Sequence, residues 1–217
     1  MMGEWWAQSG AMAIYRLDGY TDSSGNGNTL ADVGIYGATD FTRYGKFGLC
    51  AWVPTDQHDW LKSTSDNFRL IDADAGLTLA CWVKMDVVGD YDMVALCNDG
   101  GTDRLSRLTY LASSGVLYFG YSTASGAAYT TTLYADTWYF IVGTHIAGST
   151  KLYLNGALVA TGNNTYVDGS NGNFRVCNST ANSRYYHGYI DEMAVFTRVL
   201  SQGEINRWYA YATGKLM

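Results

Sequence analysis

The sequence predicts an all-β protein, a single-domain antiparallel sandwich of two sheets. Aromatic residues are abundant, with 18 Tyr, 7 Trp and 7 Phe among 217 residues, and such residues suit the half-buried surface of a strand. The 25 glycines supply the turns that many short strands need, whereas the single proline, Pro54, excludes a Pro-rich stalk. A chain of this length is ample to bury a two-sheet core.

Short strand-like runs bounded by Gly, Asn, Asp and Ser follow one another along the chain, which is typical of a sandwich. Two turn passages, at 22–28 and 162–173, punctuate them. The chain has no strand–helix–strand alternation, so a parallel sheet is not expected. The predicted strands lie near residues 12–18, 47–53, 77–86, 92–97, 105–111, 115–121, 128–133, 137–146, 150–155, 157–160, 173–177 and 186–197.

Two hairpins are predicted from their turns. KLYLNGALVA holds two strands joined by Asn155-Gly156, a dipeptide that tolerates positive φ at both central positions of a type I′ turn. LTYLASSGVLYFGYS is interpreted as a second hairpin, through Ala112–Gly115. Both are antiparallel pairs, as the fold class requires.

One helix is predicted near the C-terminus. Ser201 and Glu204 have the spacing of a capping box. Apolar residues then recur at helical spacing, and Gly214 stands where such a helix would end. We expect this amphipathic helix to pack onto the sandwich in a structural role.

Charge and hydropathy exclude several partners. The formal net charge is −6 with a pI near 4.9, and Lys and Arg form no cluster, so a nucleic acid partner is not expected. No apolar run reaches the length of a membrane span, so membrane insertion is not expected. Residues 1–11 are interpreted as an extension before one domain at 12–217. They lack the basic and apolar regions of a secretion signal, which predicts synthesis in the cytoplasm.

The cysteines and histidines show no metal-site spacing. The histidines are isolated in sequence, so zinc is not expected. The cysteines are expected to be reduced core residues, with a disulfide as the alternative. They are Cys50, Cys81, Cys97 and Cys177.

Three passages, in a fixed order, carry a family resemblance. The first is YRLDGYTDSSGNGNTLADVG, the second runs from LTLACWVK to WYFIVGTHIAGSTKLYLNGALVAT, and the third is HGYIDEMAVFTRVLSQGEINRWY. Together they span residues 12–214 and resemble the laminin-G-like domains of the concanavalin A-like lectin/glucanase superfamily. The resemblance implies a two-sheet jelly roll with a curved concave face used for recognition.

The predicted last strand carries two adjacent acids. Strict alternation over 188–196 places Asp191 on the face of Met193 and Val195, and Glu192 on the opposite face. A carboxylate on an otherwise apolar face needs a cation, a set of hydrogen-bond donors or water at the strand end.

The resemblance also implies a structural calcium ion that ties the first and last strands together. It assigns Asp22, Asn28 and Asp191 as ligands, with Asp18 and Asn26 as weaker candidates, and Ca²⁺ prefers such oxygen ligands. The alternative is that the residues of the early turn only make Asx-turns and that Asp191 accepts backbone hydrogen bonds.

The sequence predicts no enzymatic activity. Hydrolase relatives in the superfamily carry acids on one strand as Glu-x-Asp-x-Glu or a close variant, because hydrolysis needs two carboxylates roughly 5–9.5 Å apart. The chain has no such string, and its adjacent acids Asp191 and Glu192 are predicted to face apart. A glycoside hydrolase with an atypical site is the last-ranked alternative.

Aromatic residues in loop-like stretches are candidates for stacking on sugar rings, with a nearby Arg for hydroxyl groups. The predicted ligand-binding residues are Trp60, Arg184, Tyr185 and Tyr186. Against this, most aromatic side chains in a chain that is 15% aromatic serve packing. Trp5 and Trp6 could equally anchor a partner chain, which leaves a homo-oligomer open.

Two functions remain at the level of sequence. The first is a recognition module for a carbohydrate or another cell-surface ligand, with a structural calcium ion. The second is a phage or viral virion surface protein, a decoration, fibre or host-attachment component that docks onto other virion proteins. A free-standing domain with its own Met and no secretion signal favours the second, since a virion leaves the cell by lysis. The protein is thus expected to act in a virion or outside the cell.

Overall fold

The computed structural model describes residues 10–33, 39–54, 59–72, 75–98, 104–120, 123–163, 172–178 and 184–214. A 3-10 helix, Asp66–Leu70, and an α-helix, α1 (Gln202–Ala212), lie within these ranges. The strands described there are β1 (Ala11–Tyr15), β2 (Leu30–Asp32), β3 (Asp40–Tyr44), β4 (Leu49–Val53), β5 (Leu61–Ser63), β6 (Leu77–Met85), β7 (Tyr91–Asn98), β8 (Arg104–Leu111), β9 (Val116–Gly120), β10 (Ala127–Thr130), β11 (Trp138–Ile146), β12 (Ser149–Leu154), β13 (Ala157–Gly162), β14 (Gly172–Val176) and β15 (Gly188–Phe196).

The strands form two antiparallel sheets. The first sheet has the order β13-β12-β11-β6-β15-β4-β3, and β1 also pairs with β15. The second has the order β10-β9-β8-β7-β14-β5-β2. The chain is therefore a two-sheet antiparallel jelly-roll sandwich with a short C-terminal helix, as the sequence predicts.

The main core lies between the two sheets. Alternate residues of β6, among them Leu79, Cys81 and Val83, face alternate residues of the second sheet such as Leu108 and Tyr110. Because the side-chain period of a strand is two, each sheet is left with one outer face.

Helix α1 covers part of the outer face of the first sheet. Trp208 of the helix packs with Phe140, with 5.0 Å between ring centroids, and Phe140 stacks on Trp82. The predicted capping box begins the helix, since Ser201 Oγ accepts from Glu204 N at 3.3 Å and the Glu204 carboxylate accepts from Ser201 N at 2.7 Å. The predicted structural role of this helix is confirmed.

Strand β15 has a β-bulge at its middle. Asp191 pairs with Trp82 and Ala194 pairs with Ala80, so three steps along β15 oppose two along β6. Glu192, within the bulge, has a φ of 44°. Before the bulge β15 pairs with β4 and after it with β1, so these two neighbours diverge at the bulge.

The Asn-rich turn at 22–28 covers the free edge of β1. Asp22 Oδ1 accepts from Ile14 N at 3.0 Å, and Asn28 Nδ2 donates to Met12 O at 2.6 Å. An open strand edge is a site for unwanted pairing with another chain, so these side chains protect it.

Both predicted hairpin turns are confirmed, and three short strands are additions to the prediction. Asn155 and Gly156 have φ of 51° and 84°, and Ala112–Gly115 joins β8 to β9. Strands β2, β3 and β5 are three to five residues long, too short for a visible period, and pairing with neighbouring strands forms them.

Three of the cysteines meet their prediction. Cys50, Cys81 and Cys177 are buried and form no disulfide with one another, and the side chain of Cys97 lies outside the described residues. Burial raises the pKa of the Cys81 thiol, which keeps it protonated and unreactive. In the described part of the chain, no helix has the length and apolar character to cross a bilayer.

Candidate functional site

The outer face of the second sheet carries a row of cations. Cross-strand pairing aligns, in sequence across five strands, Lys62, Arg175, Ala95, Arg107 and Gly120. Apolar residues that flank them along the strands belong to the inter-sheet core, so this row, named here the cationic row, faces outward.

A buried polar network lies beside the cationic row. Thr109 Oγ1 donates to Asp92 Oδ1 at 2.5 Å, and Arg107 Nη1 lies 3.3 Å from Asp92 Oδ2. The guanidinium of Arg107 also lies over the ring of Tyr118, 5.2 Å from its centroid. Since a buried charge is stable only when it is paired, Asp92 compensates the charge of Arg107 within the protein.

Arg175, next in the row on the other side of Ala95, stacks on Trp60. Its guanidinium lies 4.3 Å from the centroid of the Trp60 ring, which is half-buried. Arg175 is 8% exposed, and its Nε has no hydrogen-bond partner. Stacking uses the face of a guanidinium and leaves its N–H edge for a planar acceptor.

The structure brings two of the four predicted ligand-binding residues, Trp60 and Arg184, to this face. The main-chain oxygen of Arg184 accepts from Asp92 N at 3.3 Å. Burial raises the pKa of Tyr118, and the charges of Arg107 and Arg184 oppose this rise, which places Arg184 near the polar network. Tyr185, next in the chain, is half-buried.

Tyr186 corrects the prediction. Its side chain is fully buried in the inter-sheet core. Its hydroxyl donates to Tyr189 O at 3.0 Å, and its ring packs edge-on against Tyr91 at 5.5 Å. A ring enclosed in this way cannot stack on a ligand, so Tyr186 is a packing residue.

A second candidate site, named here the acidic pocket, lies where β1 and β4 diverge from β15. Burial raises the pKa of the Asp191 and Glu192 carboxyl groups to about 7. Asp191 Oδ1 and Glu192 Oε2 have no hydrogen-bond partner. The cavity has a volume of about 360 Å³ and is lined by Arg16, Asp18, Phe47, Leu49, Asp191, Glu192 and Tyr211.

The other oxygen of Asp191 is held by the turn between β3 and β4. Phe47 N donates to Asp191 Oδ2 at 3.0 Å, and this bond opposes the rise of the Asp191 pKa on burial. A Cβ placed on Gly45 would lie 2.6 Å from the same oxygen, so the turn backbone wraps closely around the carboxylate. Asp191 thus accepts a backbone hydrogen bond, as one of its two predicted roles requires.

Asp191 and Glu192 share the acidic pocket, which corrects the predicted alternation. Asp191 pairs with Trp82, which packs beneath α1, whereas Met193 and Val195 belong to the inter-sheet core. The bulge breaks the two-residue period, so both acids reach one cavity. Asp191 and Glu192 are therefore not separated on opposite faces, and only the missing Glu-x-Asp-x-Glu string still indicates that the chain is not a hydrolase.

The turn residues predicted as calcium ligands are engaged in hydrogen bonds. The Asp22 carboxylate accepts four of them, from the amides of Ile14, Ser24 and Asn28 and from the hydroxyl of Ser24. Asn28 Oδ1 accepts from Asn67 Nδ2 at 2.9 Å, and Asn26 Nδ2 donates to Ala11 O at 2.8 Å. These residues do not fit a cation, because their oxygens already face N–H and O–H donors.

Asp18 and Asp191 are the predicted ligands that the structure brings together, in the acidic pocket. Asp191 Oδ1, which has no hydrogen-bond partner, and the exposed carboxylate of Asp18 have the chemistry that Ca²⁺ prefers. Among the described His, Cys, Asp and Glu residues, no group of three could hold a metal ion. A cation in this pocket would therefore need main-chain or water oxygens as well.

Sequence reasoning missed Arg175, Arg107 and Asp92 as site residues. Their signal is a charge inside an otherwise apolar strand, as in FRVC for Arg175 and YDMVAL for Asp92. Charged residues are seldom fully buried unless they are paired, so such positions predict a polar site on the outer face of a sheet.

The comparison with protein families identifies one match. A laminin G family model of the Concanavalin A-like lectin/glucanases superfamily matches residues 55–206. No curated protein sequence matches the chain.

Several solved structures share the fold. Domain 4 of AbnA, a GH43 extracellular arabinanase from Geobacillus stearothermophilus in complex with arabinotriose, has a TM-score of 0.70 and 17% identity, over 91% of this chain and 97% of that one. The receptor-binding domain of botulinum neurotoxin mosaic serotype C/D has a TM-score of 0.68 and 14% identity, over 93% of this chain and 51% of that one.

A third structure is of botulinum neurotoxin type C, which depends upon interaction with two ganglioside molecules to enter cells. It has a TM-score of 0.66 and 14% identity, over 94% of this chain and 51% of that one. This chain therefore spans about half the length of the toxin chains. At these identities the similarity shows a shared fold.

Proposed function

The chain belongs to the concanavalin A-like lectin/glucanases superfamily, and from this membership we propose that it is a non-catalytic carbohydrate-binding module. Its ligand lies on the outer face of the second sheet, at Trp60 and Arg175. The arabinotriose complex and the ganglioside-dependent toxin support the proposal, because proteins of this fold include ones that bind sugars.

The observation that carries the proposal is the tryptophan ring stacked on an arginine on the outer face of the second sheet. Helix α1 and its aromatic cluster cover part of the first sheet, through Trp208 packed on Phe140. The second sheet instead carries the half-buried Trp60 with Arg175 stacked on it, beside the buried polar network of Asp92. An aromatic ring beside charged hydrogen-bonding groups is the chemistry that holds a sugar, since the ring packs on C–H groups and the polar groups bind hydroxyls.

A glycan array tests this proposal. We expect the protein to bind a defined set of glycans, and Trp60→Ala to weaken that binding at least tenfold. Trp138→Ala is the matched control, because Trp138 is a half-buried tryptophan on the outer face of the first sheet, and its binding should be unchanged. An array with no bound glycan would overturn the proposal and favour docking onto other proteins, as in a virion.

The non-catalytic part of the proposal has its own test, because Asp191 and Glu192 share a pocket and have raised pKa values. Bound oligosaccharides should be recovered intact after long incubation, with no new reducing ends. Hydrolysis that disappears in Asp191→Asn or Glu192→Gln would instead make the acidic pocket an active site.

We also propose that the acidic pocket holds a structural calcium ion through Asp18 and Asp191. Asp18 follows β1 and Asp191 lies in β15, so an ion between them would tie the first and last strands together. The support is the buried Asp191 Oδ1, which has no hydrogen-bond donor. A cation would offset the cost of burying the Asp191 carboxylate. In the alternative, Arg16 of the same pocket supplies the positive charge.

The melting temperature of the protein with chelator or with added calcium tests this second proposal. Calcium should raise it in the wild type and in Asp66→Asn, an exposed acid outside the pocket. The rise should vanish in Asp18→Asn and in Asp191→Asn, each measured against its own chelated form. If neither chelator nor calcium moves the wild-type value, Arg16 supplies the charge and the proposal is wrong.

A further inference from the structure

We propose that the glycan recognised by this chain is anionic, with a carboxylate or sulfate group bound by the N–H edge of Arg175. The inference rests on the proposed carbohydrate-binding function and names the chemical class of its ligand. It is carried by the placement of charge on the outer face of the second sheet.

The cationic row holds one arginine, Arg175, that pairs with no carboxylate of the described residues. Lys62, Arg175 and Arg107 lie on it, in a chain whose net charge is −6. The acid of the adjacent network, Asp92, is already engaged by Arg107 and Thr109.

Arg175 is built as a receptor for a planar anion. The residue Arg175 is 8% exposed, so its guanidinium has lost much of its hydration, which is costly without an anionic partner. Its Nε has no acceptor, and its face is occupied by Trp60 at 4.3 Å. Because Nε is buried, the two terminal Nη groups are the part of the fork that is left for a carboxylate or sulfate, which such groups can bind in a bidentate manner.

Access is from the Lys62 end of the row. Lys62 and Trp60 are half-buried, whereas Ala95 and Arg107 are buried. Arg175 pairs with Lys62 across neighbouring strands, which lie about 5 Å apart, so the guanidinium lies close to this more open end. A sugar ring against the exposed part of Trp60 would then place its acidic substituent beside Arg175.

Matched pairs of glycans that differ only in charge test the inference. The pairs are sialyllactose with lactose, oligogalacturonate with its methyl ester, and sulfated with desulfated chondroitin oligosaccharides. We expect titration calorimetry to show at least tenfold tighter binding of the acidic member in one pair or more, and the pair identifies carboxylate or sulfate. Binding should weaken as NaCl rises from 50 to 300 mM, because salt screens partly exposed charges.

Variants of the arginine complete the experiment. Arg175→Gln should lose at least tenfold of the affinity for the acidic glycan, and Arg175→Lys should lose part of it, because lysine keeps the charge without the planar fork. Arg207→Gln, an exposed arginine on α1, is the control with the same charge change and should bind as the wild type does. If Arg175→Gln does not fold, the affinity of Arg175→Lys for the acidic glycan and the salt dependence of wild-type binding test the inference instead.

Two outcomes separate this inference from the function on which it rests. Equal binding of the acidic and neutral members of every pair, unaffected by salt, would overturn the anionic ligand and leave the carbohydrate-binding module standing. Absence of binding to any glycan, charged or neutral, would overturn both.

Discussion

The two oxygens of the Asp191 carboxylate have different surroundings. Its Oδ2 accepts from the amide of Phe47, while its Oδ1 has no donor and faces the acidic pocket. The bonded oxygen fastens the β3–β4 turn to β15, and the other oxygen is left for an ion, for Arg16 or for a proton. One oxygen thereby accepts a backbone hydrogen bond, which is one of the two alternatives that the sequence left open, and the other oxygen is the one that we propose for the calcium ion.

Gly45→Ala should destabilise the protein by about 1–3 kcal/mol, the usual cost of overpacking. The added Cβ would lie 2.6 Å from both Asp191 Oδ2 and Cys50 Cβ, so the turn must move off the carboxylate. The control is Gly19→Ala, where a Cβ meets no atom within 4 Å. Urea unfolding measures both, and equal midpoints for the two variants would show that the turn does not press on Asp191.

Single residues were the hardest to predict because their role depends on what covers them. Trp60 and Tyr186 look alike in sequence, as aromatics in polar stretches, yet one is half-buried under a guanidinium and the other is enclosed in the core. Arg175 gave a clear local signal, a charge within FRVC, but its stacking partner is more than a hundred residues away in the chain. A sequence pattern predicts which face of a strand a side chain occupies, but its exposure depends on what packs against that face in the folded protein.

At the scale of elements, the bulge in β15 has the largest consequences. It separates β4 from β1, opens the acidic pocket, and turns Asp191 and Glu192 into one cavity. Nothing in HGYIDEMAVF distinguishes a bulged strand from a regular one, because a bulge adds one residue without a fixed composition. Helix α1 was predictable for the opposite reason, since its capping box is local.

Glu204→Gln should destabilise α1 by about 1 kcal/mol at neutral pH, the usual worth of a cap. The variant loses the charged bonds to Arg198, at 2.7 Å, and to Ser201 N, at 2.7 Å. These bonds lower the pKa of Glu204 to about 2. Thermal unfolding of the wild type and the variant measures the difference.

The same variant predicts a pH dependence. Because the pKa of Glu204 is lower in the folded protein than in the unfolded chain, its stabilisation is complete above about pH 4.5 and is lost as pH falls toward 2. The gap between wild type and Glu204→Gln should close over that window. Arg207→Gln, on the same helix outside the cap, should show no such closing, and a parallel change in both variants would contradict the assignment.

At the scale of the molecule, composition and turns were sufficient for the architecture and insufficient for the site. Aromatic content, the Asn155-Gly156 hairpin and three ordered motifs specify a sandwich, since each acts locally or through a repeated pattern. The cationic row joins the consecutive strands β7 to β9 with β5 and β14, which lie far from them in the chain, and it exists only because four registers align. Register is fixed by packing across the whole core, which no single segment encodes.

The spacing of the two sheets depends on a close contact between Gly143 of β11 and Phe119 of β9. A Cβ at position 143 would overlap the Phe119 ring, so Gly143→Ala must push the sheets apart or displace the ring. We expect Gly143→Ala to lower the free energy of unfolding by about 1–3 kcal/mol, the usual cost of overpacking. Phe119→Leu, which shortens the side chain, should recover part of that loss in the double variant.

A double-mutant cycle by urea unfolding measures the coupling, which should be favourable and about 0.5–3 kcal/mol for residues in direct contact. The matched pair is Gly19→Ala with Phe119→Leu, whose effects should add because Gly19 has open space around it. Additive losses in the Gly143 and Phe119 cycle would mean that the sheets relax freely at this point. Coupling would show that one glycine sets how closely the face bearing the cationic row is held to the rest of the sandwich.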